Sequence, residues 1–194
     1  MVEESIIPLF LKNKNMACDL TTGVAVRCKN SNGGLRKVYL ATYGTLGNAT
    51  LGSNDEITAL SGAMVWFEYD LVGVANTYSE TFANDADAGT ATTTQTLTIQ
   101  LPKLDARTSK ELKLVLWGRP HICVEDVNGN QFIVGYENGV TASIDANSGG
   151  ALTDLNGYIL TLTGIEKEFA KFLGGDLASV CSAGSISAVQ IADS

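Results

Sequence analysis

None of the chain's 13 Lys and Arg residues lies between Val38 and Pro102 or between Pro120 and Glu166, although these stretches hold seven and six carboxylates. The chain also has one histidine, three prolines and four cysteines with no CxxC pair. Each scarcity excludes something. A net charge of −8 argues against general binding to phosphate backbones, which needs a basic footprint; it leaves open the enclosure of nucleic acid without a grip on it. One His and scattered Cys cannot supply a structural zinc site of the usual spacing. No window approaches the roughly 18–20 apolar residues of a membrane span. The start, MVEESIIPLFLKN, has acids where an export signal is basic, so the chain is expected to stay in the cytoplasm that makes it. Its cysteines (Cys18, Cys28, Cys123, Cys181) are then expected as reduced thiols, some of them buried, with a Cys18–Cys28 disulfide as the alternative. GxGxxG, Walker, GxSxG and HExxH patterns are absent, and no cofactor is expected.

Glycine is plentiful (20 residues), and with abundant Thr, Val and Ile it favours strands and tight turns. At 194 residues the chain makes one large domain, or one domain with extensions. Residues 1–17, with the apolar patch Ile6–Leu11, read as a docking arm. Val24, Val26 and Cys28 alternate with polar neighbours and predict a strand, turned at Asn32-Gly33-Gly34 into a second over Leu35–Tyr43. Short strands are expected at Glu56–Leu60 and Ala63–Leu71. Residues 76–101 read as a long hairpin with an acidic tip, ANDADAGTA, because Leu97, Ile99 and Leu101 alternate with Thr96, Thr98 and Gln100.

Thr108-x-x-Glu111 predicts a capping box opening a helix over 108–117, with Leu112, Val115 and Leu116 inward and Gly118 as the stop. Asn128-Gly129 predicts a type I′ hairpin that sets Val127 opposite Asn130, Glu125 opposite Phe132 and Cys123 opposite Val134. Further strands are expected at 140–146 and Tyr158–Thr163. A helical turn or two is expected over Glu166–Leu173, and a mobile or partner-ordered tail over 174–194. The fold class is mainly β: a β-sandwich or flattened barrel of about eight to ten mostly antiparallel strands with one flanking helix. One domain is expected over 18–173.

Chemistry is sparse. His121 and Cys123 share a strand face, but side chains at i and i+2 sit roughly 6.5–7 Å apart, beyond hydrogen-bond reach, so a structural histidine is the better reading. Glu68 and Asp70 also share a face. Such a pair suits an acid/base dyad or a cation, yet more often decorates a solvated face or a subunit contact. The chain is not expected to be an enzyme.

Three blocks resemble structural proteins of tailed bacteriophages: LPKLDARTSKELKLVLWGRPHICVEDVNGNQFIVGYENG, LNGYILTLTGIEKEFAKFL and CDLTTGVAVRCKNSNGGLRKVYLA. In its order of elements the chain is similar to the tail-tube family. The resemblance implies a virion protein that is assembled in the host cytoplasm into rings, usually of six, which stack into a conduit enclosing DNA as non-specific cargo. Other tail or neck proteins are the implied partners, and no membrane anchor is implied. A neck, ring or baseplate-hub protein of the same fold is the near alternative. By segment, the bridging roles of that family fall on residues 1–17, 76–101 and 165–194.

Charge segregation adds an expectation of its own. Basic residues Lys12, Lys14, Arg27, Lys29, Arg36, Lys37, Arg107 and Arg119 are expected to meet acidic segments of neighbouring copies, including Asp85 and Asp87. A receptor- or carbohydrate-binding β-sandwich would instead show exposed aromatics, whereas Trp66 and Trp117 both lie in apolar runs expected to be buried. A hydrolase built on a carboxylate pair is the third reading.

Overall fold

The structure, a computed structural model, describes residues 22–187. The arm at 1–17 with Lys12 and Lys14, Cys18 with its disulfide alternative, and residues 188–194 lie outside the described residues. The chain divides after Ser31 into two units. In the first, residues 22–31 form no regular element, and Val24 and Val26 are fully exposed. The strand expected there is absent. Alternation becomes a strand only where a neighbour takes the backbone hydrogen bonds and a core takes the apolar face.

The second unit carries twelve strands and two helices among the described residues. They run β1 (Leu35–Ala41), β2 (Ala49–Leu51), β3 (Ile57–Leu60), β4 (Val65–Asp70), β5 (Thr77–Asp85), β6 (Thr90–Pro102), α1 (Ala106–Trp117), β7 (His121–Asp126), β8 (Gln131–Val134), β9 (Thr141–Asn147), β10 (Gly157–Glu166), β11 (Lys171–Phe172), α2 (Leu177–Val180) and β12 (Ser185–Ser187). A six-stranded sheet has the order β11-β8-β7-β1-β4-β12, a four-stranded sheet the order β5-β6-β10-β9, and β2 pairs with β3. All pairings are antiparallel except that of β12 with β4. The fold is thus mainly β, a sandwich rather than a closed barrel.

Period-two alternation explains the layering. Val38 and Leu40 of β1, Ile122 and Val124 of β7, and Phe132 and Val134 of β8 pack against Leu97 and Ile99 of β6 and Leu160 and Leu162 of β10. The intervening residues Tyr39, Cys123 and Ile133 enter a second core with Trp66, Ile57, Leu60, Leu177 and Val180. The six-stranded sheet is therefore covered on both faces, and its strands read as continuous apolar runs (HICV, FIV) rather than as apolar-polar alternation.

Four local expectations change. Asp105, not Thr108, caps α1, and its carboxylate accepts from the backbone N–H groups of Arg107 and Thr108 at 3.0 Å each. An aspartate one turn earlier satisfies the same free donors that the capping box was expected to satisfy. The β7–β8 register is Cys123 opposite Ile133, Val124 opposite Phe132 and Glu125 opposite Gln131, one residue from the type I′ expectation. The Asp126 carboxylate accepts from the backbone N–H groups of Asn128 and Asn130, both at 2.8 Å, and so favours a three-residue loop in which Gly129 takes the positive φ of 85°.

No helix forms over 166–173. Instead β11 adds to β8, with Phe172 against Phe132 (centroids 5.6 Å) and Leu173 N–H donating to Gln131 O at 2.8 Å. A sheet edge with backbone groups to fill outweighs the weak helical preference of a short segment. Residues 174–187, part of the tail expected to be mobile or partner-ordered, bury Leu177, Val180 and Cys181 and supply β12.

Candidate assembly surface

The four-stranded sheet contains no Lys or Arg in any strand. One face packs in the core; the other is set by register. Thr77, Thr98, Thr161 and Ser143 stand side by side across the four strands, and one step along stand Ser79, Thr96, Thr163 and Thr141. Two rows of four hydroxyls thus cross the outward face. Thr81 and Thr94 extend the pattern, and exposed Asp145 gives the face a negative charge. Ile159 and Ile165 of β10 share this face, Ile165 being 59% exposed, and cross-strand Thr pairs stabilise the rest of it without a basic side chain.

The two sheets differ in how their edges end. The six-stranded sheet closes at β11 and β12, which contribute two and three residues. Short strands of this kind blunt an edge. The four-stranded sheet ends in β5, nine residues long and paired only with β6, and in β9, seven residues long and paired only with β10. β9 runs antiparallel to β10, β10 to β6 and β6 to β5. A β9 edge laid beside the β5 edge of another copy is therefore antiparallel too, and the sheet would continue without a break in its ladder.

The expected contact residues divide in their roles. Arg27 and Lys29 are exposed in the first unit. Lys37 bonds Glu68 at 2.5 Å and lies 3.7 Å from Asp70, and its hydrogen bond to Glu68 raises its pKa. Arg36 lies 3.7 Å from Glu125. The Glu68/Asp70 pair is thus joined through a lysine of its own chain. Arg119 donates to Asn138 O at 2.8 Å and sits 5.3 Å from the Tyr43 ring centroid. Arg107 is exposed on α1. At the β5–β6 tip, Asp85 Oδ1 accepts from the backbone N–H groups of Asp87 and Ala88, each at 3.0 Å, and both aspartates are exposed.

His121 is buried and stacks on Tyr43 at 5.1 Å, with Gly44 N–H donating to Nε2 at 3.0 Å and Nδ1 lying 2.6 Å from Gly135 O. Both ring nitrogens are held by backbone, and burial lowers the imidazole pKa. Cys123 lies wholly in the second core, where burial pushes its thiol pKa well up. Cys28 is an exposed free thiol. Among the described residues no group of His, Cys, Asp and Glu could hold a metal ion, and no helix is long and apolar enough to cross a membrane. A cleft of about 330 Å³ is lined by Asp55, Glu56, Phe82, Lys167, Phe169 and Phe172, so both charge signs meet three phenylalanines there.

One expectation about aromatics fails. Trp66 is buried, but Trp117 is 90% exposed at the end of α1. An apolar run at a helix terminus outlasts the surface that the helix covers, so its last turn projects into solvent. The hydroxyl rows went unseen in the sequence because they need the register of four strands; the Thr alternation in TTTQTLTIQL and YILTLT was the available signal. No family model, no curated protein and no solved structure matches the chain.

Proposed function

We propose that this chain is a self-assembling virion component whose four-stranded sheets join edge to edge into a ring, and that stacked rings form a conduit for DNA. The observation that carries this reading is a sheet free of Lys and Arg, with a hydroxyl-lined outward face and two long open edges of matching direction. Long open edges are a liability in a monomer, and ring closure fills both with the same contact. A neutral-to-acidic hydroxyl wall suits a conduit because it offers phosphates no cation to hold, the inverse of a DNA-binding groove. A neck or hub ring of the same fold would use the same closure.

The reading is tested by negative-stain microscopy and sedimentation of the purified protein over a range of concentrations. Rings or tubes are expected. A monomer that persists at high concentration would overturn it.

A further inference from the structure

Most cations in the second unit are already matched within the chain. Arg36, Lys37, Lys167 and Lys171 each approach a carboxylate, and Arg119 bonds a backbone carbonyl. The cations of α1 differ. Arg107, Lys110 and Lys113 are exposed, and none makes an ion pair among the described residues.

At about 100° per residue, these three fall on one side of the helix with Leu114 and Trp117, opposite the buried Leu112. Leu114 is 62% exposed and Trp117 is 90% exposed. The solvent face of α1 is therefore a basic stripe ending in a bare indole.

The complementary surface is the tip of the β5–β6 hairpin. β10 pairs with β6 only as far as Thr93, whereas β5 and β6 remain paired to Asp85 and Thr90. A two-stranded finger of three further residue pairs thus projects past the sheet, by about 10 Å. Every residue from Thr81 to Thr92 is exposed. Such a ribbon has little stability of its own, so a surface to lie on would favour its order. It carries Asp85 and Asp87, neither of which makes an ion pair among the described residues, and four of its other side chains (Ala83, Ala86, Ala88, Ala91) are small enough to approach an indole closely.

We propose that the solvent face of α1 is the docking surface for the β5–β6 tip of a second copy of this chain, with Arg107, Lys110 and Lys113 facing Asp85 and Asp87, and Leu114 and Trp117 covered by the tip's alanines. The proposal rests on the assembly reading and adds a second contact between copies to the edge-to-edge joint. Each exposed ion pair is weak by itself and is screened by salt, but a contact repeated around an assembly accumulates.

The test is a charge swap. Asp85→Lys/Asp87→Lys and Arg107→Glu/Lys110→Glu/Lys113→Glu are made separately and together, and assembly is followed by sedimentation velocity. Far-ultraviolet circular dichroism confirms that each variant is folded. Each single set is expected to raise the concentration for half-assembly about tenfold or more, and the combined protein is expected to recover assembly. In the wild type, Trp117 emission shifts to the blue on assembly, and Trp117→Phe removes the shift.

The proposal is overturned if neither reversal changes assembly. It is also overturned if only the helix set does, particularly with binding to DNA or anionic vesicles, since α1 then serves another partner. Folded variants that fail to recover when combined count against it equally. If the wild type does not assemble, the ring reading fails on its own, and zero-length carbodiimide coupling at high concentration still decides the contact. An inter-copy amide between Lys110 or Lys113 and Asp85 or Asp87 supports it, and absence of that amide overturns it.

Discussion

Gln95 and His121 take hold of the two polar groups of one residue, Gly135: its carbonyl oxygen lies 2.6 Å from His121 Nδ1, and its N–H donates to Gln95 Oε1 at 2.8 Å. Because Gly44 N–H donates to His121 Nε2, the ring proton sits on Nδ1 and is donated to Gly135 O. Gln95 Nε2 in turn donates to Glu80 Oε1 at 3.0 Å, which also accepts from Ala170 N–H at 2.6 Å. This buried chain ties β7 and the end of β8 in one sheet to β6 and β5 in the other. Gly135 has φ 67°, and a Cβ there would meet Gly139 backbone at 2.7 Å, so no side chain fits at the junction.

Gln95→Met keeps the volume and removes both amide bonds. It leaves the buried Gly135 N–H without an acceptor, at a cost of about 1–3 kcal/mol. Urea unfolding should show a lower midpoint with an unchanged slope. An unchanged midpoint would mean that Gln95 does not clamp the sheets.

The same chain predicts a pH dependence. Burial lowers the folded His121 pKa below its ordinary 6.5, partly offset by the bond to Gly135. Above that ordinary value the ring is neutral in both states. As pH falls through it the unfolded chain takes up the proton first, so stability declines until the lower folded pKa is passed. His121→Gln should flatten this part of the stability curve. Parallel curves for the two proteins between pH 7.5 and 5 would assign the slope to another group.

Ser143→Lys places a charge in the middle of the exposed β9 edge. Assembly should be lost, because a lysine on an edge opposes strand addition. The monomer's own stability should change by no more than about 0.5 kcal/mol, since the site is exposed. Rings at wild-type concentration would exclude β9 from the joint.

Leu177→Ala tests whether the C-terminal segment belongs to the core. Leu177 is 1% exposed in the second core, and its N–H donates to Gln131 Oε1 at 2.7 Å. Truncating a leucine so placed costs about 2–5 kcal/mol. A melting temperature equal to wild type would return residues 174–187 to the status of a loose tail.

Local patterns suffice where no competing signal and no distant partner decides the outcome. The β5–β6 hairpin, a helix covering 108–117 and the mainly β class all follow from alternation, helical spacing and turn residues. Misreadings fell where two local signals competed or where a partner decided. Asn128-Gly129 suited a two-residue turn, but the Asp126 side chain stabilised three. Residues 166–173 had helical spacing, yet the open edge of β8 took two of them as a strand. Val24 and Val26 had a strand pattern and no core. For the candidate surface, the sequence yields the absence of Lys and Arg, and the structure adds that Arg36, Lys37 and Arg119 each also hold a group of their own chain.

The amino-acid sequence by itself determined which segments alternate, which stretches exclude positive charge and where the chain turns, because these depend on neighbours within a few residues. Only the tertiary structure decided which edges stay open, which cations remain unmatched and that eight hydroxyls fall into two rows. Those properties arise from the register and order of strands far apart in sequence, and a one-residue slip in any of them would turn the same threonines to the opposite face.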